Sequence, residues 1–169
     1  ATITNMGAEL GATTSIFPSD EVTLDFLKLQ DREEDYKPLK ADDNARYHEV
    51  ITVDLSKIVP MAACPHSPDN IETIERLAGK KISQVAIGSC TNSSYRDLVM
   101  AARILKGQRV HPDVSLVISP GSKQVLTKLA KSGKLEDLIT AGARILESGC
   151  GPCIGMGQAP ETDAVSLRT

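Results

Sequence analysis

The sequence predicts an α/β fold, with a three-layer α/β/α arrangement around a mostly parallel sheet. Short apolar runs typical of strands alternate with helical patterns over the second half of the chain. Strands and helices that alternate in this way form parallel sheets covered on both faces. Aromatic residues make up only 3% of the sequence and Trp is absent, so the core must be built from Val, Ile, Leu and Ala.

The first 46 residues combine a short helix with a polar connector. Ser19 or Asp20 can cap a helix, because apolar side chains follow at helical spacing. These are Val22, Leu24, Phe26, Leu27 and Leu29. The charged stretch beyond them contains Pro38 and is typical of a connector. We expect this connector to extend to Arg46.

The middle of the chain predicts a strand, a crossing and a short helix. Residues 47–55 alternate apolar and polar side chains, which indicates a strand. Residues 56–70 contain three prolines, which favour an extended crossing. Apolar residues recur at helical spacing over residues 71–77, and Gly79 is a suitable helix end.

The remaining chain has the most regular pattern. The predicted elements are a strand at 82–87, a helix at 98–105, a strand at 114–119, helices at 122–131 and 135–140, and a strand at 143–146. Glycines and prolines separate them, as expected at the turns between buried elements.

Cysteine residues directly follow two of these strands. Cys90 lies in Gly-Ser-Cys-Thr-Asn-Ser-Ser, and Cys150 and Cys153 lie in Gly-Cys-Gly-Pro-Cys-Ile-Gly. Ligands of open α/β sheets gather at the carboxyl ends of the strands, so the two loops are expected to converge on one site. Three thiolates can hold an iron–sulfur cube and leave its fourth iron open to a substrate.

The residues around Cys90 favour an ionised thiol. Ser94 and Asp97 resemble a capping box, which places the start of a helix just after Cys90. The exposed N–H groups at a helix start stabilise negative charge. Asn92, together with Thr91 and Ser93, can donate hydrogen bonds to cluster sulfurs.

Other chemistry fits parts of this pattern. Cys150-Gly-Pro-Cys153 is also the redox motif of thioredoxin-like proteins, although no Trp precedes it and no good helix follows it. A structural zinc site would need a fourth ligand. Cys64 or a histidine could supply it, but their spacing matches no common zinc-binding motif. A cysteine can also be simply a small buried apolar side chain without function. This interpretation suits Cys64 but does not account for the three cysteines that lie in glycine-rich segments.

Charge and length limit the class of partner. The net charge is -3, which gives no reason to expect a nucleic-acid partner. No apolar stretch approaches the roughly 20 residues that cross a bilayer, and the N-terminus lacks signal-peptide features, so we expect no membrane partner. Four cysteines without a secretory signal favour reduced thiols and a cytoplasmic location. Neither end resembles a natural terminus, and we expect a piece of a longer polypeptide.

Three motifs together resemble the aconitase (aconitate hydratase) family. They are Asn-Met-Gly-Ala-Glu-Leu-Gly-Ala-Thr-Thr-Ser from Asn5, Gly-Ser-Cys-Thr-Asn-Ser-Ser-Tyr from Gly88, and Gly-Cys-Gly-Pro-Cys-Ile-Gly from Gly149. Isopropylmalate dehydratases and homoaconitases are related. They keep Gly-Ser-Cys-Thr-Asn but typically follow it with Ser-Arg, and they usually vary the second cysteine motif. Ser93-Ser94-Tyr95 and Gly151-Pro152 therefore favour citrate and isocitrate as substrates, within the tricarboxylic acid cycle.

The resemblance implies a [4Fe–4S] cluster held by Cys90, Cys150 and Cys153, in a fold like the aconitase iron–sulfur domain. It also implies isomerisation of citrate to isocitrate through cis-aconitate, by removal and return of water at the open iron. Glu9 matches a catalytic glutamate that interacts with the hydroxyl or water on that iron. Asn5 matches an asparagine near the cluster.

The resemblance also implies that residues 1–46 are the end of a preceding aconitase-type α/β domain plus the connector, and that residues 47–169 form the cluster-binding α/β domain. Further aconitase domains would complete the enzyme. In the family, the Asp–His pairs lie upstream of residue 1, and the asparagine–arginine segment that grips substrate carboxylates begins just after Thr169. We expect the isolated chain to be inactive. His48, His66 and His111 are given no role.

Overall fold

Two compact units make up the chain and divide between Ala78 and Gly79. The computed structural model describes residues 2–7 and 10–169. The N-terminal unit contains short elements joined by long connections, and the C-terminal unit is organised by a sheet. The expected boundary between residues 46 and 47 concerns the domains of a longer protein and stays a prediction.

The N-terminal elements are short, in keeping with their many prolines and charged residues. They are α1 (Thr2–Asn5), α2 (Glu21–Lys28), β1 (Met61–Ala63), β2 (Ile71–Thr73) and α3 (Ile74–Leu77). Strands β1 and β2 form an antiparallel pair. The stretch between α2 and β1 contains 3-10 turns at Glu33–Asp35 and Leu55–Lys57.

Helix α2 begins where the sequence predicts. The Asp20 carboxylate accepts a hydrogen bond from the Thr23 amide at 3.0 Å, and the Thr23 hydroxyl faces the Asp20 amide at 3.5 Å. This reciprocal pair is a capping box built with Thr at the third helical position. Of the two candidate caps, Asp20 is therefore the one used. Ser19 instead donates its hydroxyl to the Lys37 carbonyl at 2.7 Å.

The predicted strand at residues 47–55 is wrong. The structure has no regular element from residue 47 to residue 54, and the 3-10 turn starts at Leu55. Ile51 and Val53 are 78% and 63% exposed. An alternating pattern forms a strand only where a neighbouring strand accepts its backbone hydrogen bonds, and no strand in the described part of the chain pairs with this segment.

The predicted helix at residues 71–77 is half correct. Residues 74–77 are helical, but Ile71–Thr73 pairs with Met61–Ala63 in β1. Strands β1 and β2 were not predicted, because three residues contain too few alternations of apolar and polar side chains to show the period of a strand.

A parallel sheet forms the centre of the C-terminal unit. Within the described residues it comprises β3 (Gln84–Gly88), β4 (Ser115–Ser119), β5 (Arg144–Ile145) and β6 (Ser166–Arg168), in the order β5-β4-β3-β6. Strand β3 pairs in parallel with both β4 and β6, and β4 pairs in parallel with β5. Strands β3, β4 and β5 confirm the predicted ones, whereas β6 was not predicted.

Helices pack on the sheet face formed by alternate residues of β3 and β4. These helices are α4 (Tyr95–Leu105), α5 (Lys123–Lys131) and α6 (Lys134–Thr140), all close to their predicted positions. They contribute fully buried aliphatic side chains, each worth about 2 kcal/mol of transfer free energy. The buried cluster is Leu98, Ala102, Leu116, Ile118, Leu129, Leu138 and Ala143.

The other sheet face carries small and polar side chains. Ala86 and Val117 are register partners and are only 2% and 1% exposed. Gln84, on the same face as Ala86, is 7% exposed. The α/β fold class with a mostly parallel sheet is therefore confirmed. In the part of the chain that the structure describes, no helix has the length and apolar character that crossing a bilayer requires.

One ion pair of α6 makes stability dependent on pH. The Lys134 ammonium donates to the Asp137 carboxylate at 2.9 Å, with side chains 24% and 19% exposed. This hydrogen bond lowers the pKa of Asp137 from its ordinary value of 3.8, with a smaller contribution from the Lys106 charge. The folded protein therefore stabilises the carboxylate more than the unfolded chain does.

We expect Asp137→Asn to lower the free energy of unfolding at pH 7. Because the folded pKa is the lower one, the difference from wild type should persist above pH 3.8 and disappear as the pH falls further. Denaturant unfolding between pH 3 and pH 7 measures this. Glu136→Gln is the matched control on the same helix, and an equal loss at every pH for Asp137→Asn would contradict the prediction.

Candidate functional site

The parallel sheet brings both cysteine loops to one edge. Strand β3 ends at Gly88 and is followed by Cys90, and β5 ends at Ile145 and leads to Cys150. All the strands of this sheet run in the same direction, so their carboxyl ends share one edge. This edge is where open α/β folds bind ligands, and it is the site that the sequence predicts.

Gly88 lets the Cys90 loop turn sharply against β4. Its φ is 98°, which a side chain disfavours. A Cβ at this position would lie 2.6 Å from the Cβ of Ser93 and would also collide with the Ser119 carbonyl. The backbones therefore approach more closely than any larger residue would permit.

Ser93 holds the loop from inside. It is fully buried, and its hydroxyl donates a hydrogen bond to the Ser89 carbonyl. Its own carbonyl accepts from the Gly121 amide at 3.2 Å. The Cys90 loop is thereby tied to the segment that follows β4, and Cys90 remains exposed at the tip.

The capping box predicted at Ser94 is present. The Ser94 hydroxyl accepts from the Asp97 amide at 3.3 Å, and the Asp97 carboxylate accepts from the Ser94 amide at 3.0 Å. Helix α4 therefore starts one residue after Ser94, with its amide groups directed toward the loop. The Cys90 sulfur lies 3.5 Å from the Thr91 hydroxyl, and Asn92 is half-buried.

Ser119 connects the end of β4 with the chain that leads to Cys150. Its hydroxyl donates to the Glu147 carbonyl at 3.0 Å, and the Leu146 amide donates to the Ile118 carbonyl at 2.8 Å. Both cysteine loops are thus hydrogen-bonded to the same central strand or its extension. The arrangement holds their bases close together at the sheet edge.

The second loop is built on a 3-10 turn. Pro152–Ile154 forms the turn, flanked by Gly151 with φ 126° and Gly155 with φ 95°. The positive φ of Gly151 disfavours any other residue there, and an added Cβ would also push aside the flexible Met156 side chain, whose sulfur would lie 2.8 Å away. Cys150 is exposed and Cys153 is half-buried.

Arg168 fastens this loop to the sheet. Its guanidinium donates to the carbonyls of Pro152 and Gln158, both at 2.6 Å, and to the Gln84 side-chain oxygen at 2.7 Å. Arg168 could not be recognised from the sequence, because a short strand ending in arginine gives no pattern that distinguishes it from a surface residue.

The donor chemistry of the site fits an iron–sulfur cluster. Cys90, Cys150 and Cys153 lie in glycine-rich loops at one sheet edge, with exposed or half-exposed sulfurs. Within residues 2–7 and 10–169, however, no group of three or more His, Cys, Asp or Glu side chains is placed to hold a metal ion. The structure brings the loops together without assembling the three thiols into a ligand set.

The other predicted residues lie elsewhere. Asn5 is exposed in α1, in the N-terminal unit, and Glu9 falls outside the described residues. Cys64 follows β1, and its amide donates to the Asn70 carbonyl at 2.7 Å. The histidines, for which the sequence predicts no role, are all exposed: His48, His66 and His111.

The fold and the site together place this protein in the class of α/β proteins that carry cysteine loops at the carboxyl edge of a parallel sheet. The sequence profile of the Aconitase family (aconitate hydratase) matches residues 1–80 and 72–169. The chain therefore belongs to the aconitase family.

Curated relatives show which members of the family this chain is similar to. The chain is 43% identical to 3-isopropylmalate dehydratase large subunit 2 of Archaeoglobus fulgidus, over 93% of this chain and 38% of the relative. It is 44% identical to the 3-isopropylmalate dehydratase large subunit of Caldanaerobacter subterraneus subsp. tengcongensis, over 91% and 37%. It is 41% identical to the methanogen homoaconitase large subunit of Methanocaldococcus jannaschii, over 93% and 39%. The chain thus spans well under half the length of these relatives.

We predict that Gly88→Ala destabilises the C-terminal unit by about 3 kcal/mol, from backbone strain plus overpacking. Gly107→Ala is the control, because Gly107 also has a positive φ of 73° but has open space around it. Its cost should be about 1 kcal/mol. Urea unfolding of both variants measures the difference, and equal losses would refute the close approach at Gly88.

Proposed function

We propose that the parent protein is a [4Fe–4S]-dependent hydro-lyase and that this chain supplies its cluster-binding region. The observation that carries the proposal is the emergence of both cysteine loops at the carboxyl edge of one parallel sheet. Family membership across the whole chain supports it.

In this proposal Cys90, Cys150 and Cys153 hold the cluster as thiolates. When bound, the cluster supplies a Lewis-acidic iron for exchange of hydroxyl and water. The backbone amides at the start of α4 stabilise negative charge near the first loop. Asn92 would donate a hydrogen bond to a cluster sulfur, which tunes such sites. Asn5 is proposed to be an asparagine near the cluster, from its place in the family motif.

Glu9 is proposed as the catalytic residue that handles a proton at the substrate hydroxyl. The assignment rests on its place in the family motif from Asn5 to Ser15. A carboxyl group is suited to this work, because in its acid form it can donate a proton to the departing hydroxyl, and as the carboxylate it can accept one from the arriving water.

The substrate is proposed to be 3-isopropylmalate or a homoaconitate-type acid. The sequence motifs at Ser93-Ser94-Tyr95 and Gly151-Pro152 favour citrate and isocitrate. The relatives reported above are 3-isopropylmalate dehydratase and homoaconitase large subunits, and they support the alternative substrates better. The reaction common to all these substrates is reversible removal of water from a hydroxy acid.

A small-subunit partner follows from the same comparison. The relatives are named as large subunits, so we propose that a separate chain completes the active site together with the rest of the parent polypeptide.

Thioredoxin-like chemistry has weaker support. In such proteins a helix N-terminus lowers the pKa of the attacking cysteine. Here Cys150-Gly-Pro-Cys153 enters a single 3-10 turn that ends at Gly155, with no α-helix after it in the described chain. The geometry therefore lacks the element that activates the redox cysteine.

Anaerobic reconstitution of the full-length protein should yield roughly four iron and four sulfide per chain. Cys90→Ser, Cys150→Ser and Cys153→Ser should each lose most of both, because each removes one ligand. Cys64→Ser is the matched control and should retain them. Zinc in place of iron, or insulin reduction that needs only Cys150 and Cys153, would overturn the proposal.

The full-length protein combined with its small subunit should dehydrate 3-isopropylmalate or homocitrate with a kcat/KM about 100-fold above that for citrate. Absorbance of the unsaturated product measures the rate. The 169-residue chain alone should show no turnover, and activity of that chain would contradict its proposed place as one part of the enzyme. Preference for citrate would restore the citrate–isocitrate assignment.

A further inference from the structure

The Arg168 side chain is held by three hydrogen bonds within the C-terminal unit. It lies at the end of β6, beside Ala86 of β3. Its guanidinium reaches two carbonyls of the second cysteine loop and one buried side-chain amide. The residue is half-buried, so breaking these hydrogen bonds would leave donors poorly satisfied.

The two carbonyls stand at opposite ends of one loop segment. The Pro152 carbonyl carbon is bonded directly to the amide nitrogen of Cys153, and the Gln158 carbonyl lies at the far end. Turn hydrogen bonds link the segment between them: the Gly155 amide donates to the Pro152 carbonyl at 3.1 Å, and the Gln158 amide donates to the Gly155 carbonyl at 2.9 Å. A single side chain therefore closes the segment from both sides.

Gln84 anchors the guanidinium to the sheet. Its side-chain oxygen accepts from Arg168 at 2.7 Å and from the Ser166 hydroxyl at 2.8 Å. Gln84 is 7% exposed at the start of β3. The strand that leads into the Cys90 loop thus also supports the clamp on the Cys150–Cys153 loop.

Arg168 is held by directional hydrogen bonds rather than by an ion pair. The acceptors of Arg168 are neutral oxygens, and no ion pair of the described residues includes Arg168. The planar guanidinium offers several N–H groups in fixed directions, and a lysine ammonium cannot span the same three acceptors.

We propose that Arg168 is a positioning residue, which holds the Pro152–Gln158 segment against β3 and β6 so that Cys150 and Cys153 are presented at the sheet edge. The proposal deepens the proposed cluster-binding function and rests on it. It also makes a separate statement about loop order in the protein without a cluster. The two statements can fail independently.

Hydrogen exchange of the apo full-length protein tests loop order. Arg168→Met should speed exchange of the Ile154, Gly155, Met156 and Gln158 amides about tenfold or more, since hydrogen bonds from a charged donor are lost. Arg168→Lys should not restore slow exchange. Amides of β4 serve as the internal reference, and Arg103→Met, at an exposed position of α4, is the control substitution.

Iron release from the reconstituted protein tests the consequence for the cluster. A ferrous chelator should remove iron from Arg168→Met and Arg168→Lys at least several-fold faster than from wild type and Arg103→Met. Gln84→Met keeps the two carbonyl contacts and should show an intermediate rate. This variant covers the case in which Arg168→Met folds poorly.

Each contrary result has a clear meaning. Unchanged exchange in Arg168→Met, or a uniform increase that includes β4, would overturn the positioning role. Full rescue by Arg168→Lys would show that charge, not the guanidinium geometry, is what matters, and would overturn the proposal as stated. Faster exchange with no cluster bound to wild type would leave loop positioning intact and refute the proposed function instead.

Discussion

The parallel pairing of β4 with both β3 and β5 is the constraint on which the site depends. Parallel strands share their direction, so every loop that leaves them emerges at the same edge. Cys90 and Cys150 are 60 positions apart in sequence, yet their loops start from this edge because β3 and β5 flank β4. An antiparallel neighbour would have sent one loop to the opposite end of the sheet.

Small residues at the strand ends turn this common edge into a close contact. Gly88 has no side chain, so the Ser119 carbonyl and the buried Ser93 can approach the β3 backbone. Ser119 then binds the chain that precedes Cys150 through the Glu147 carbonyl. Hydroxyl groups at Ser93 and Ser119 satisfy backbone carbonyls that the tight turns leave without strand partners. The loops are therefore held at their bases, while Cys90 and Cys150 stay exposed at their tips.

Much of the C-terminal unit could be predicted from the sequence, because its strands and helices each bury a continuous apolar face. Strand β4 and helix α4 are examples, and the capping box at Ser94 was readable from two residues. The strand predicted at residues 47–55 does not form, because alternation of side chains is a local pattern, whereas a strand also needs a neighbouring strand with which to pair. Strand β6 was missed because Ser166–Arg168 is stabilised by its partner β3 and has little pattern of its own.

The sequence by itself determined the α/β class, the two cysteine motifs and the family, since these depend on residue type, order and spacing along the chain. Only the tertiary structure decided how the second cysteine loop is supported. The clamp joins Arg168 to Pro152, Gln158 and Gln84, residues separated by up to 84 positions. No local pattern encodes such a contact, because it exists only after parallel pairing has brought β6 alongside β3.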